Sequence, residues 1–238
     1  MALMRRLFPV AALASLLMPQ ISLAQVDQHH HGHHVQPEVH QQETTPKHQG
    51  HGHHAHGMGP AGSTYDLRFI DGMVEHHTGA LRMSEYVFNI GAPGVGALAN
   101  SIWSEQAREI KAMRQWRKAW YPEVPVYPVM LRPNGDPNPM ADLVRMSPEV
   151  IAAMRMSGTK PTRDNRREWF LEGMIEHHGG ALQMAHEALK NSTNPTILRL
   201  ARNIIFAQRK EIIELRKMLQ SGGLNKPAYY KSDALFSI

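Results

Sequence analysis

The chain has 238 residues, of which 42% are hydrophobic and none is cysteine. This length is enough for one large core or two small ones, and the lack of cysteine excludes disulfide bonds and thiolate metal sites. The formal net charge is +5, but Lys and Arg are spread among acidic residues without a basic block, so the composition does not favour a nucleic-acid-binding protein.

Residues 1–24 have the pattern of a cleavable signal peptide. They comprise the basic start MALMRR, the apolar run LFPVAALASLLM and a small-residue cleavage motif that ends at Ala24. The apolar run is shorter than the roughly 20 residues of a membrane span, and no later segment approaches that length. We therefore predict an exported protein that is cleaved near Gln25 and has no membrane span.

Residues 25–62 are a low-complexity arm that holds eleven of the sixteen histidines. Nothing in this segment can bury an apolar face, so we predict a disordered arm. Flexible imidazole-rich segments suit Cu(II), Zn(II) or Ni(II) near neutral pH. The histidines of its two dense clusters are predicted secondary metal ligands: His29, His30, His31, His33, His34, His51, His53, His54 and His56.

The region from 63 to 120 is predicted to form a helical hairpin. A capping-box pattern, STYD at residues 63–66, opens the first helix, which continues to about Phe88. The second helix runs from about Val95 to Trp120 and ends ahead of Pro122.

The remaining chain is predicted to contain a long crossover, a second hairpin and a tail. Residues 121–162 are rich in proline and methionine, with one short helix after Ser147-Pro148. The second hairpin, residues 163–220, has a third helix over about Arg163 to Lys190. Its fourth helix begins at the Asn194-Pro195 cap. The tail, residues 221–238, is predicted to be irregular from Leu224.

The two hairpins are copies of one another. FIDGMVEHHTGALRM at residues 69–83 and FLEGMIEHHGGALQM at residues 170–184 match at ten of fifteen positions, an offset of 101, and the following helices match when Leu98 is aligned with Leu200, an offset of 102. A lone hairpin cannot cover its apolar stripe. We therefore predict an all-α fold, a four-helix bundle made of two duplicated hairpins with a long crossover, as in ferritin-like folds.

The paired histidines fall on the side of each helix that is predicted to face the bundle, at the alternating spacings of four and three residues that define a bundle seam. The seam positions are Phe69, Met73, His76, Ala80, Met83 and Val87, and then Phe170, Met174, His177, Ala181, Met184 and Ala188. In the partner helices the predicted inward positions are Ala99, Trp103, Gln106, Ile110 and Met113, and then Ala201, Ile205, Gln208, Ile212 and Leu215. A buried polar group without a partner costs about 1 to 3 kcal/mol, so this layer must be mutually hydrogen-bonded or bind something.

Glycines flank the histidines in both copies. Gly72 and Gly79 lie four residues before and three residues after His76, and Gly173 and Gly180 repeat the arrangement. A glycine in the middle of a helix costs about 1 kcal/mol relative to alanine. The pattern therefore predicts that space or a close backbone approach is needed beside the histidines.

Thioethers and imidazoles on one helical surface are typical of a soft metal site, and Cu(I) fits this donor set best. The predicted ligands are Met73, His76, His77, Met83, Met174, His177, His178 and Met184. Polar residues predicted to support them without binding metal are Gln106, Glu109, Gln208 and Glu211. The alternative is a buried polar network with methionines that serve only as core packing.

The paired F-x-x-x-M-x-x-H-H-x-x-A-x-x-M stretches, each followed by an A-x-x-I-x-x-x-Q-x-x-E-I helix, resemble the bacterial family catalogued as domain of unknown function 305. The resemblance covers about residues 63 to 220. It implies a ferritin-like fold, periplasmic copper binding and a role in copper resistance, with the eight Met and His positions above as ligands. Many members carry proline before the His pair, where this chain has Glu75 and Glu176.

Three functions follow from these patterns. The first is a periplasmic copper-binding protein that buffers, sequesters or transfers copper to an efflux component or a cuproenzyme. The second is a copper oxidase; a di-iron enzyme would need Glu-x-x-His pairs, but Met73 and Met174 occupy the positions three residues before His76 and His177. The third is a structural or interaction module. We predict the first of these functions, without a catalytic role. The sequence leaves the oligomeric state open.

Overall fold

The computed structural model describes residues 57–91, 94–156 and 158–238. The predicted signal peptide and the predicted arm ligands lie outside these residues. The described chain is mostly helical, with one small sheet. Its helices are α1 (Tyr65–Glu85), α2 (Val95–Trp120), α3 (Pro148–Arg155), α4 (Arg166–Asn191) and α5 (Pro195–Ser221), and its strands are β1 (Val129–Leu131) and β2 (Leu143–Arg145).

The helix boundaries largely follow local sequence signals. Ser147 caps α3 by accepting a hydrogen bond from the Val150 backbone N–H, and Asn194 caps α5 by accepting one from Thr196. Both helices have proline at their first position, where no backbone N–H is needed. None of the helices in the described part combines the length and the apolar character needed to cross a membrane.

The predicted capping box at the start of α1 is wrong. Thr64 occupies the capping position, but its side chain makes no capping hydrogen bond. The Thr64 hydroxyl donates instead to the Pro137 carbonyl oxygen at 2.6 Å and accepts from Arg68 Nε at 3.1 Å. A contact with the crossover has thus replaced the local cap. α1 also ends at Glu85, before the predicted Phe88, and α4 begins at Arg166 rather than Arg163.

The four long helices pack as two hairpins that meet along α1 and α4. Helix α1 contacts α2, α4 contacts α5, and α1 contacts α4. All twelve predicted seam positions of α1 and its copy are buried, and so are the predicted inward positions of α5. Trp103 is an exception in α2, because it is only half-buried and Ile102 occupies the core instead.

The crossover is more structured than its sequence predicts. Strands β1 and β2 pair antiparallel, with Met130 opposite Val144. The buried Asp71 carboxylate of α1 accepts hydrogen bonds from Arg117 Nε at 2.6 Å and from the Val129 backbone N–H at 2.9 Å. Burial raises the pKa of Asp71, and these two hydrogen bonds oppose that shift. The sheet is thereby fixed to the first hairpin.

The tail, predicted to be irregular from Leu224, packs against α4. It forms two short 3-10 turns, Pro227–Tyr230 and Asp233–Leu235, that contact α4. Tyr229 is buried, and His186 Nε2 lies 2.9 Å from the Leu235 carbonyl oxygen. These contacts join residues far apart in sequence, which is why local patterns do not reveal them.

Candidate metal centre

The four core histidines form one row across the contact between α1 and α4. The ring centroids of His76 and His177 are 3.8 Å apart, and the neighbouring pairs, His76 with His77 and His177 with His178, are separated by 6.3 and 6.2 Å. All four side chains are fully buried. The two sequence motifs therefore meet in a single layer.

The outer histidine of each motif pairs with a glutamate of the adjacent helix. His77 Nε2 lies 2.6 Å from Glu109 Oε2, and His178 Nε2 lies 2.8 Å from Glu211 Oε2. The His77 contact has hydrogen-bond geometry, whereas the His178 contact has the distance of an ion pair without that alignment. A carboxylate only accepts, so the His77 hydrogen bond places the proton on Nε2.

This pairing leaves one nitrogen on each outer ring for another partner. The Nδ1 atoms of His77 and His178 are buried and have no hydrogen-bond partner among the described residues. In a neutral ring with Nε2 protonated, Nδ1 carries the lone pair that binds a metal ion. A carboxylate on the far nitrogen fixes the orientation of such a ring and increases its basicity.

Other polar groups of the layer also lack protein partners. The amide groups of Gln106 and Gln208 are buried, and neither their nitrogen nor their oxygen is hydrogen-bonded within the described parts of the chain. Burial, and then the nearby carboxylates of Glu211 and Glu109, raise the pKa of Glu105. Carboxylates of α2 and α5 are therefore concentrated beside the outer histidines, where a bound cation would relieve their repulsion.

The predicted methionine ligands lie in the same core. Met73, Met83, Met174 and Met184 are all buried and belong to the hydrophobic core cluster. Their burial fits both core packing and soft-metal binding. Of the crossover methionines, Met146, Met154 and Met156 are also buried, whereas Met140 is exposed.

Met58 is a further sulfur in this core and is not one of the eight predicted ligands. Its side chain is buried, and its Sδ lies 2.5 Å from the point that a Cβ on Gly72 would occupy, while Met184 Cε lies 3.6 Å from the same point. Gly72 is one helical turn before His76. The space predicted beside the histidines thus admits a residue from the end of the arm.

The backbone of Met58 is fixed by two charged side chains. The Met58 carbonyl oxygen accepts a hydrogen bond from the buried guanidinium of Arg68, and its N–H donates to Glu187 Oε2 at 3.2 Å. Arg68 also donates to the Pro60 carbonyl oxygen at 2.7 Å. Arg68 therefore holds the last residues of the arm against α1, a role that no local spacing indicates.

Gly79 serves a second close approach. A Cβ at this position would overlap the carbonyl oxygen of Arg155, the last residue of α3. Arg155 is fixed there because its Nε donates to the buried Glu75 carboxylate at 2.6 Å, and Tyr127 donates to the same carboxylate at 2.8 Å. The close backbone approach predicted beside the histidines is present at Gly79, and the space at Gly72 is occupied by a side chain.

The donor set limits which metal these residues fit. Within the described chain, no three or more His, Asp or Glu side chains converge on one point as a metal site requires. Each outer imidazole offers one buried nitrogen, and the buried methionines of the same core are soft donors. The metal-binding role of the eight predicted ligands stays a prediction, as does that of the arm histidines.

Comparison with known proteins gives the following matches. The model of a domain of unknown function (DUF305) matches residues 66–219. The structure of CopM in the Cu(II)-bound form is 28% identical, with a TM-score of 0.50, and the match covers 66% of this chain and 97% of that chain. CopM in the Cu(I)-bound form is 27% identical, with a TM-score of 0.48 and coverages of 66% and 96%. A DUF305 fragment from Deinococcus radiodurans is 26% identical, with a TM-score of 0.48 and coverages of 68% and 99%. No curated protein matches the chain.

Proposed function

The chain belongs to the DUF305 family, and from that premise we propose that it is a periplasmic copper-binding protein that holds Cu(I) at the histidine layer. The observation that carries this proposal is the pair of outer imidazoles. His77 and His178 each have a glutamate at Nε2 and a buried Nδ1 without a partner among the described residues. The solved Cu(II)-bound structure of CopM, a similar protein, supports copper as the metal.

We infer that Cu(I) is the ion bound in the core, and the chemistry of the donors supports this choice. The site offers imidazole and thioether groups in an apolar surrounding, and cysteine is absent from the sequence. Cu(I) accepts few, soft ligands, whereas Zn(II) and Cu(II) gain little from methionine. Glu109 and Glu211 would orient the two imidazoles, and the buried methionines would supply sulfur.

The proposed role is to buffer or sequester copper and to hand it on, and thereby to contribute to copper resistance. The arm would collect copper at low affinity, and the acceptor would be an efflux component or a cuproenzyme. The ferritin-like interpretation fits the two hairpins and the long crossover. Export to the periplasm follows from the signal-peptide pattern of residues 1–24.

Copper is proposed here as cargo rather than as a catalyst. The four imidazoles are fully buried, so a phenol or another organic substrate could not reach them without opening the contact between α1 and α4. Oxygen consumption during incubation with Cu(I) tests this point. Sustained turnover that is lost with His77→Ala would contradict the non-catalytic proposal.

The decisive experiment is Cu(I) affinity under anaerobic conditions, measured by competition with a chelator of known strength. Four proteins are compared. Two are parents, the mature chain and the same chain lacking residues 25–56. The other two are double variants, in which each parent carries both His77→Ala and His178→Ala. We expect tight binding in both parents and its loss in both double variants, with helical content retained. Deletion of the arm should lower the number of copper ions bound but not the tightest affinity. Tight binding that survives in the double variant of the mature chain but is lost whenever residues 25–56 are removed would assign copper to the arm and leave the histidine layer as a structural network.

A further inference from the structure

The duplication allows the surfaces of the two hairpins to be compared position by position. In the second hairpin, the C-terminal tail fills the groove between α4 and α5. Ser232 Oγ occupies the place where a Cβ on Gly179 would lie. His186 Nε2–H donates to the Leu235 carbonyl oxygen at 2.9 Å, and Arg209 donates to the Phe236 carbonyl oxygen at 2.8 Å.

One arginine holds the acidic residue of the tail and the aromatic residues on either side of it. Arg216 pairs with the Asp233 carboxylate, and its guanidinium carbon lies 4.5 Å from the ring centroid of Tyr230 and 5.3 Å from that of Phe236. Arg216 is only 6% exposed beneath these residues. The groove therefore recognises an acidic residue flanked by aromatic ones, through an ion pair and cation–π contacts.

The first hairpin has an open groove at the corresponding place. It has a volume of about 490 Å³ and lies between α1 and α2. With offsets of 101 for α1 and 102 for α2, its residues Leu81, Ala107 and Arg114 correspond to Leu182, Arg209 and Arg216. The arginine that holds the tail in the second hairpin is thus repeated in the first.

Equivalent residues of the two grooves differ in burial, because the tail covers only the groove between α4 and α5. Leu182 is fully buried, whereas Leu81 is partly exposed, and Arg114 is exposed where Arg216 is buried. No other segment of the described chain fills the first groove, since it remains open to solvent. Lys111 and Lys118 add two positive charges to its wall.

We propose that the groove between α1 and α2 is a docking site for a segment of a partner protein that carries an acidic residue between aromatic or aliphatic side chains. Arg114, with Lys111 and Lys118 beside it, receives the carboxylate. Leu81 and Ile110 provide the apolar floor for the flanking side chains. The inference rests on the repeat and its groove, so it is independent of copper binding.

A fluorescently labelled peptide with the sequence of residues 226–238, KPAYYKSDALFSI, is a direct probe because it carries the chemistry that the second groove accepts. Its binding to the full mature chain is measured by fluorescence anisotropy. We expect saturable binding that Arg114→Glu weakens by about tenfold or more, the size expected for loss of a charge-assisted contact. Arg202→Glu, the same charge reversal at an exposed position of α5, should leave binding unchanged, and a peptide with Asp233→Lys should not bind.

Two other results would overturn the proposal. If Arg216→Glu weakens peptide binding and Arg114→Glu does not, the peptide has only exchanged with the tail in its own groove. If sedimentation shows a dimer that Arg114→Glu dissociates, the groove binds a second copy of the chain instead of a different partner. Circular dichroism confirms that each variant keeps its helices, so loss of binding is not loss of fold.

Discussion

The imidazole of His177 lies against that of His76, with ring centroids 3.8 Å apart, and its Nε2–H donates a hydrogen bond to the His76 carbonyl oxygen at 2.9 Å. The two residues hold equivalent positions in the two halves of the chain. Their contact therefore joins the hairpins at the centre of the molecule, and it brings two copies of one motif into a single polar layer.

Replacing both central histidines by leucine should separate stability from metal binding. The His76 carbonyl oxygen loses the hydrogen bond from His177, but leucine buries more apolar surface at both seam positions, so we expect the apo free energy of unfolding to stay within about 1 kcal/mol of the parent. Cu(I) affinity should fall at least about tenfold, because two of the imidazoles of the layer are gone. Urea denaturation of the apo protein and anaerobic chelator competition measure the two quantities.

His186→Leu is the matched control for that double variant. His186 lies outside the layer, and its Nε2–H donates to the Leu235 carbonyl oxygen of the tail. We expect the opposite pattern, a modest loss of stability with no change in Cu(I) affinity. Equal Cu(I) affinity in the double variant and the parent would show that the central histidines are not needed for the metal.

The glutamates at the outer histidines should set copper affinity without binding copper. Glu109→Gln and Glu211→Gln keep the shape of each side chain but remove the negative charge that orients the imidazole and increases its basicity. We expect each change to lower Cu(I) affinity by roughly 10- to 100-fold. Glu214→Gln, at an exposed position of α5, is the control. An effect of Glu214→Gln as large as those at Glu109 and Glu211 would indicate a general charge effect rather than an effect of orientation.

Periodic features of the sequence predicted the helices and the histidine layer, because a seam of four- and three-residue spacings fixes which side chains face inward. The contacts made by the crossover were not predictable in this way. Arg155 reaches Glu75 across 80 residues of sequence, and Thr64 reaches Pro137 across 73. The position of the tail was not predictable for the same reason, because its packing against α4 depends on Arg216 and not on any pattern within the tail.

The helix glycines of α1 should differ sharply in their tolerance of alanine. At Gly79 the added methyl group would overlap backbone of Arg155, which cannot move without displacing α3. We expect Gly79→Ala to lower the free energy of unfolding by about 1 to 3 kcal/mol. At Gly72 the overlapping group is the flexible side chain of Met58, so the gain in helix propensity, about 1 kcal/mol, offsets much of the strain.

Urea denaturation of the glycine series gives the test, with Gly91→Ala as the control because nothing lies within 4 Å of an added Cβ there. Gly91→Ala should change stability by less than about 0.5 kcal/mol. The expected order of destabilisation is Gly79, then Gly72, then Gly91. If Gly79→Ala lowers the free energy of unfolding no more than Gly91→Ala does, α3 does not pack tightly against α1 in solution.

The duplicated glutamates that precede the His pairs provide the sharpest comparison of the two halves. Glu75 is buried and accepts hydrogen bonds from Arg155 at 2.6 Å and Tyr127 at 2.8 Å, whereas Glu176 is exposed. Glu75→Gln removes the charge of a buried pair and leaves the guanidinium without its anion. We expect a loss of unfolding free energy on the order of 2 to 3 kcal/mol. Glu176→Gln should cost less than about 0.5 kcal/mol.

Because Glu75 fixes the crossover on α1, amide hydrogen exchange should also speed up in residues 148–155 of the Glu75 variant. Equal stabilities of the two variants, with unchanged exchange in α3, would show that Glu75 does not anchor the crossover.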